Sequence, residues 1–213
     1  MIKAVLWDFG GVITSSPFES FNRFEEANGL PRDFIRSINS TNHENNAWAQ
    51  LESSLISVDD FDIKFAEESR NLGYEIRGAQ VLALLSGELR PEMVTALKII
   101  RQRMKIGCIT NNVKAGEGAS MAQNAERAAR MSAVFDLFDT VIESSKTGIR
   151  KPDPRIYQIA CEQVCVAPEN AVFLDDLGIN LKPARALGMS TIKVLNSTQA
   201  LDDLESLLKF PLR

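Results

Sequence analysis

Four short polar clusters in this sequence follow apolar runs and carry side chains that could do chemistry together. Asp8 closes the first apolar run, and Asp175 and Asp176 close a later run of Ala-Val-Phe-Leu. Thr110 follows Lys-Ile-Gly-Cys-Ile, and Lys151 stands in the segment Lys-Pro-Asp-Pro. Each cluster alone would be an ordinary turn, helix cap or surface charge. Gathered in one crevice, three carboxylates, a hydroxyl and an ammonium group would hold a cation and an anionic substrate.

The chemistry that suits these groups is phosphoryl transfer. Clustered carboxylates need a cation, and oxygen ligands without imidazole or thiolate favour Mg²⁺, which completes its shell with water and phosphate oxygens. We therefore predict a phosphorylated substrate whose phosphorus is attacked by Asp8. Lys151 and the metal would neutralise the equatorial oxygens, Thr110 and nearby backbone amides would hold them, and water would cleave the aspartyl phosphate.

The elements that must position these residues are the strands of a parallel sheet. Apolar residues at nearly every position of 2–7, 105–109 and 171–174 are typical of strands covered on both faces. Because strands and helices alternate after residue 90, we predict an α/β fold with a doubly wound, Rossmann-like parallel sheet whose carboxyl strand ends meet at one edge. Gly10-Gly11 allows a sharp turn and a close approach to a ligand there. Further elements expected from the pattern are strands at 140–143 and 191–194 and an alanine-rich helix around 119–131.

Residues 17–87 have a different pattern. Phenylalanines recur there at helical spacing among charged residues, and Ser57 followed by two aspartates is typical of a helix start. This pattern predicts an inserted all-helical cap domain at 17–87, with the α/β core formed by 1–16 and 88–213. Most cap aromatics should be core, but three apolar cap side chains are candidates for a substrate pocket: Phe18, Trp48 and Leu51.

Composition narrows the class of protein. The 213 residues carry 24 cationic and 28 anionic side chains, a formal charge of -4, without a basic block that would follow a nucleic acid backbone. No apolar run approaches the ~18 residues of a membrane span. Three cysteines and one histidine suggest neither a disulfide framework nor a zinc site. We expect a cytoplasmic protein whose partner is a small phosphorylated substrate, not nucleic acid or membrane, with a homodimer left open.

Four segments resemble, in order, the four motifs of the haloacid dehalogenase (HAD) superfamily: Trp7 to Val12, Ile109 to Asn112, Lys151 to Pro154 and Phe173 to Asp176. The last two also resemble the N-terminal phosphatase domain of soluble epoxide hydrolase and the related domain of certain acyl-CoA dehydrogenases. The resemblance implies a HAD-like hydrolase with a cap inserted after the first strand, and Asp8 as nucleophile. It further implies Thr110 and Asn111 as phosphate ligands, Lys151 as the charge clamp, and Asp176 with Asp175 as metal ligands beside Asp8.

One position departs from the phosphatases of this superfamily. They usually carry a second Asp two residues after the nucleophile, which protonates the leaving group and then activates water, but this chain has Gly10. Gly10 can still offer its carbonyl to the metal. Because such a group typically contributes about 10²- to 10⁴-fold, its absence predicts a slow phosphatase, a substrate with a good leaving group, or a substitute acid from the cap such as His43.

Three alternatives stay open beside the phosphatase. A 2-haloacid dehalogenase also lacks that second Asp, but it needs no metal, and Asp175-Asp176 disfavours it. A catalytically weak binding or scaffold protein could keep the fold. A response-regulator receiver domain combines similar residues, but its acidic pair follows the first strand, whereas here the pair follows a later one.

Overall fold

The computed structural model describes residues 1–85, 87–112 and 125–213, and its centre is a five-stranded, all-parallel sheet. The strands are β1 Ala4–Trp7, β2 Lys105–Thr110, β3 Thr140–Glu143, β4 Ala171–Asp175 and β5 Ser190–Lys193. Their order across the sheet is β3-β2-β1-β4-β5. Helices complete the described chain: α1 Pro17–Ala27, α2 Phe34–Ser40, α3 Ala47–Glu52, α4 Val58–Asn71, α5 Gly78–Ala83, α6 Pro91–Arg101, α7 Ala125–Phe135, α8 Ser144–Thr147, α9 Pro154–Val164, α10 Gly178–Ala186 and α11 Ser197–Leu208. The predicted α/β class and doubly wound parallel sheet are confirmed.

The sheet is buried on both faces, which explains its unbroken apolar strands. On one face, Val5 and Trp7 of β1 pack in a cluster with residues of α6, α7 and α11. On the other, Leu6 of β1 and Phe173 of β4 pack with residues of α9 and α10. Fully burying a large apolar side chain contributes roughly 1.5–3 kcal/mol, so these two layers are a main source of stability.

The register brings the carboxyl ends of the central strands to one level. Trp7 of β1 pairs with Cys108 of β2 on one side and with Leu174 of β4 on the other. The ladder continues one step further, because the Asp8 backbone N–H donates to the Leu174 carbonyl at 2.8 Å. Asp8 therefore emerges next to the end of β4, at the edge where the sequence predicts a site.

Helices α1 to α5 form a group with its own apolar cluster. That cluster includes Phe21, Phe61, Phe65 and other side chains from this segment of the chain. The two connections to the sheet lie side by side, since Thr14 forms an antiparallel bridge with Leu89. This arrangement agrees with a helical cap inserted after β1, while its predicted limits of 17 and 87 stay a prediction.

Two helices differ from the sequence-based expectation. For the alanine-rich helix predicted around 119–131, the structure describes Ala125–Phe135, and positions 119–124 of the prediction lie outside the described residues. The C-terminal helix α11 was not predicted, although Ala200, Leu201 and Leu204 recur at helical spacing and the Asn196 side chain accepts from the Gln199 N–H at its start.

In the described part of the chain, none of the helices combines the length and apolar character that crossing a membrane requires.

Candidate active site

Lys151 lies at the centre of the polar cluster. Only 2% of its surface is exposed, and its Nζ lies 2.7 Å from Asp8 Oδ1 and 2.8 Å from Asp175 Oδ2. Burial by itself would lower the pKa of Lys151, but the charges of Asp175 and Asp8 and their hydrogen bonds raise that pKa above its ordinary value. The ammonium group is thus held charged between the carboxylates that follow β1 and end β4.

Hydrogen bonds from neighbouring residues fix the position of the Asp175 carboxylate beside this ammonium group. It is fully buried, and its Oδ1 accepts from the Leu177 backbone N–H at 2.8 Å. The amide of buried Asn180 lies 3.0 Å from both carboxylate oxygens of Asp175. Sequence reasoning missed Asn180, whose only signal was a polar residue in the first turn of the helix that follows the acidic pair.

Asp8 is buried and strongly influenced by its neighbours. The Phe9 backbone N–H donates to its Oδ1 at 2.7 Å, which fixes the side chain at the turn after β1. Burial raises the pKa of Asp8 well above its usual range, Lys151 opposes that rise, and the charges of Asp175 and Asp176 add to it. The Lys151 ammonium group therefore favours the ionised form of Asp8, against the effect of burial.

Asp176 completes a group of three carboxylates. Its Oδ2 accepts from the Ser16 hydroxyl at 3.3 Å, and burial, followed by the charge of Asp175, raises the pKa of Asp176 to about 6. An oxygen of each of Asp8, Asp175 and Asp176 lies within 4.8 Å of the other two. Three carboxylates this close together could hold a divalent cation such as Mg²⁺, which binds oxygen ligands at about 2.1 Å.

The two glycines after Asp8 have different surroundings. Gly11 has φ +78°, and a Cβ there would lie 2.2 Å from Asp176 Oδ2, so only glycine lets this turn pack against the carboxylate. Among the residues that the structure describes, no atom lies within 4 Å of a Cβ built on Gly10. Gly11 thus approaches the Asp176 side chain, whereas the described residues leave room at Gly10, the position at which the related phosphatases carry an acid. The predicted close approach of the glycine pair to a ligand stays a prediction.

Thr110 and Asn111 follow β2 beside the same edge. Thr110 is buried at the last position of the strand. The Asn111 side chain clamps the backbone of Lys151, because its Oδ1 accepts from the Lys151 N–H at 2.8 Å and its Nδ2 donates to the Lys151 carbonyl at 3.0 Å. A phosphate contact from Asn111 would then come from its backbone N–H, and its role as phosphate ligand stays a prediction.

Cap residues predicted to face a pocket pack largely within the cap itself. Leu51 is buried in the cap cluster, Trp48 packs edge-on against Phe61, and the Arg36 guanidinium lies 4.3 Å above the Phe18 ring. His43 is exposed, and its carbonyl accepts from Arg150 at 3.0 Å. Which of them faces a substrate stays a prediction.

The sequence also did not single out Glu52 and Arg150. Glu52 ends α3 in the cap, and its carboxylate binds the Arg150 guanidinium, with Oε2 2.6 Å from Arg150 Nη2. Arg150 had one signal, its place directly before Lys151, and Glu52 had none.

A parallel α/β sheet with a buried lysine and three aspartates at its carboxyl edge, and a helical group inserted after β1, defines a class of hydrolases. The model of the haloacid dehalogenase-like hydrolase family matches residues 2–188. The chain belongs to this family, and the resemblance predicted from its four motifs is confirmed.

Curated relatives agree with this assignment. The chain is 34% identical to acyl-CoA dehydrogenase family member 10 of Mus musculus over 99% of its own length and 19% of that protein. It is 31% identical to bifunctional epoxide hydrolase 2 of the same species, over 96% of the chain and 38% of the relative. The chain thus spans less than half the length of these two relatives. A phosphatase of Mycobacterium tuberculosis is 31% identical, over 97% of this chain and 95% of the relative.

Solved structures share the fold. A HAD-family enzyme of Bacteroides thetaiotaomicron, solved in complex with magnesium and inorganic phosphate, matches with a TM-score of 0.60 and 21% identity. The match covers 91% of this chain and 94% of that one.

Proposed function

We propose that this protein is a Mg²⁺-dependent phosphatase that hydrolyses small phosphate monoesters through a phosphorylated Asp8. The observation that carries the proposal is the buried Lys151 ammonium group, 2.7 Å from Asp8 and 2.8 Å from Asp175, beside a third carboxylate. A nucleophile that must approach an anionic phosphate needs fixed positive charge at the point of attack, and this geometry supplies it.

The reaction would proceed in two displacements at phosphorus. An Asp8 oxygen forms a bond to phosphorus while the ester P–O bond breaks, and the electron pair leaves on the alcohol oxygen, which takes a proton from solvent. Water then attacks phosphorus, the bond between phosphorus and the Asp8 oxygen breaks, and its electron pair restores the carboxylate. The proton of the attacking water leaves with the phosphate. Lys151 binds the negative oxygens through both steps, and the Thr110 hydroxyl donates to one of them.

Asp8, Asp175, Asp176 and the Gly10 carbonyl are the groups that would hold Mg²⁺. The bound ion would neutralise phosphate charge during the displacement. Its positive charge would also offset the burial that raises the pKa of Asp8. The complex of the Bacteroides enzyme with magnesium and inorganic phosphate supports this assignment, as does the phosphatase name of the mycobacterial relative.

Because Gly10 lacks the acid of the related phosphatases, the experiment must also test two other functions. A 2-haloacid dehalogenase would use Asp8 on carbon and needs no acid at that position, since halide leaves without a proton. A scaffold would turn over neither ester nor halide. The cluster of three carboxylates supports the phosphatase, because a dehalogenase has no use for a cation there.

The deciding experiment compares wild type with Asp8→Asn on p-nitrophenyl phosphate, with Mg²⁺ and with EDTA, and on 2-chloropropionate. We expect Mg²⁺-dependent phosphate release by wild type and none by Asp8→Asn, because an amide cannot attack phosphorus. Asp59→Asn, the same change at an exposed position in the first turn of α4, is the control and should match wild type. Chloride release would favour the dehalogenase, and the absence of turnover of either substrate would favour the scaffold.

A further inference from the structure

The cap carboxylate of Glu52 makes contacts that the proposed reaction does not use. Only 7% of Glu52 is exposed, although glutamate is rarely buried unless it is paired. Its Oε1 accepts from Trp48 Nε1 of the same helix at 2.9 Å. Its Oε2 accepts from two core residues, Arg150 through Nε at 2.7 Å and Asn111 through Nδ2 at 3.3 Å. One side chain of α3 therefore joins the cap to two loops at the carboxyl edge of the sheet.

Both core partners of Glu52 adjoin Lys151. Arg150 precedes it in the chain, and Asn111 makes two hydrogen bonds with its backbone, at 2.8 Å and 3.0 Å. The Lys151 ammonium group in turn contacts Asp8 and Asp175. An uninterrupted series of polar contacts thus runs from the cap through Asn111 and Lys151 to the candidate nucleophile.

The charge of Glu52 matters for this series. The Arg150 side chain is largely buried, and its guanidinium also donates to the cap carbonyl of His43 at 3.0 Å. Removing Glu52 would leave this cation without its carboxylate and the Asn111 amide with one acceptor fewer. Because an ion pair that is largely buried leaves an uncompensated charge when one partner is removed, we expect the two loops to shift in the absence of Glu52.

We propose that Glu52 is a positioning residue: through its contacts with Asn111 and Arg150, the cap holds Lys151 in place beside Asp8. Glu52 acts through Asn111 and Arg150 and not on the reacting atoms. The inference rests on the proposed phosphatase function, and it makes turnover depend on a carboxylate of the cap. An error of about 1 Å in the place of a charged group can cost about 10²-fold in rate, so the effect should appear in kcat.

The first test measures turnover of p-nitrophenyl phosphate by Glu52→Ala. We expect kcat to fall about 10- to 100-fold, with the Mg²⁺ concentration for half-maximal rate unchanged, since the hydrogen bonds of Glu52 go to Trp48, Asn111 and Arg150. The matched control is Ser54→Ala, which removes another contact between cap and core, the hydrogen bond from Ser54 Oγ to the Ser145 carbonyl at 3.0 Å. It should keep the wild-type kcat, whereas an equal loss in Ser54→Ala would mean that any loosening of the cap slows the enzyme and would overturn the inference.

The second test does not depend on activity. The Lys151 backbone N–H donates to Asn111, so its hydrogen exchange, followed by NMR, reports whether the clamp is held. We expect its protection to fall about tenfold in Glu52→Ala and to stay unchanged in Ser54→Ala. Wild-type protection in Glu52→Ala would overturn the inference, even if the wild-type protein turned over no phosphate and the proposed function had failed.

Glu52→Gln covers the case in which Glu52→Ala does not fold. It keeps the shape and one acceptor oxygen but loses the charge that pairs with Arg150. We expect a smaller fall in both kcat and Lys151 protection than alanine would cause. Wild-type values of both in Glu52→Gln would then overturn the inference.

Discussion

At the scale of single residues, two adjacent glycines have separate roles. Gly11 has a positive φ and lies against Asp176, so a side chain at this position would displace the Asp176 carboxylate. A Cβ on Gly10 meets no atom within 4 Å in the described part of the chain, so packing there does not require glycine. Different substitutions therefore test them.

Gly11→Ala should weaken Mg²⁺ binding by about tenfold or more, because the new Cβ would push the Asp176 carboxylate out of place. The matched control is Gly29→Ala, at a position with a similar φ of +65° where no atom of the described residues lies within 4 Å of the new Cβ. Both variants bear the cost of a left-handed alanine, about 1–2 kcal/mol, but only Gly11→Ala should lose affinity. Calorimetric titration with MgCl₂ measures it, and equal losses in the two variants would show that backbone strain alone is responsible.

Gly10→Asp should narrow the preference for good leaving groups. In wild type an aryl phosphate should exceed an alkyl phosphate in kcat/KM by about 10²-fold, because the phenolate leaves without a proton and the alkoxide does not. In the described part of the chain a Cβ at Gly10 meets no atom within 4 Å, so an aspartate there could protonate the alkoxide and later activate water. The ratio of the two kcat/KM values in both proteins is the measurement. Equal rates on both esters in wild type would mean that another group already serves as the acid.

At the scale of elements, the short helix α3 depends on its N-cap. Asn46 is buried, its side-chain oxygen accepts from the Ala49 N–H at 2.8 Å, and its Nδ2 donates to the Asn39 and Thr41 carbonyls at 2.9 Å each. A helix of six residues has little stability of its own, so these three bonds fix the element that carries Glu52.

Asn46→Ala should lower the free energy of unfolding by about 2 kcal/mol, since it removes a cap and takes a donor from two carbonyls. Urea denaturation measures the change. Asn46→Ser, which keeps a cap acceptor but lacks the amide that donates to both carbonyls, should have a stability between those of wild type and Asn46→Ala. A loss in Asn46→Ala no larger than that of Asn46→Ser would show that the cap bond contributes little.

At the scale of the whole molecule, the candidate site unites residues far apart in the chain. Asp8, Lys151 and the Asp175-Asp176 pair meet only in the folded state, where three carboxylates face one ammonium group. A cation that binds there stabilises the fold by mass action, about 2.7 kcal/mol at 100 times its dissociation constant.

Mg²⁺ should therefore raise the Tm of wild type, and Asp176→Asn should remove that increase while raising the Tm of the metal-free protein. The amide has nearly the same shape but removes the cost of burying a charge and, with it, the repulsion from Asp175, the two causes that raise the pKa of Asp176. Thermal scans with MgCl₂ and with EDTA at pH 7.5 measure both effects. An equal Mg²⁺-induced increase in the two proteins would place the cation elsewhere.

The sequence by itself determined the sheet, the edge at which the polar clusters meet, and Asp8, Thr110, Lys151 and Asp175-Asp176 as candidate residues. It could do so because a strand that is buried on both faces has an unbroken run of apolar residues, which is visible in the local sequence. Parallel strands then bring their carboxyl ends to the same edge of the sheet.

Only the tertiary structure decided the contacts around those residues. Glu52 and Arg150 are 98 positions apart, and the local sequence around either residue does not predict that the two form an ion pair. The fold likewise showed that the Asn111 side chain binds the Lys151 backbone and that the Asp176 carboxylate packs against Gly11. Periodicity records which face of an element is buried, whereas the partner of a buried polar side chain depends on how separate elements pack.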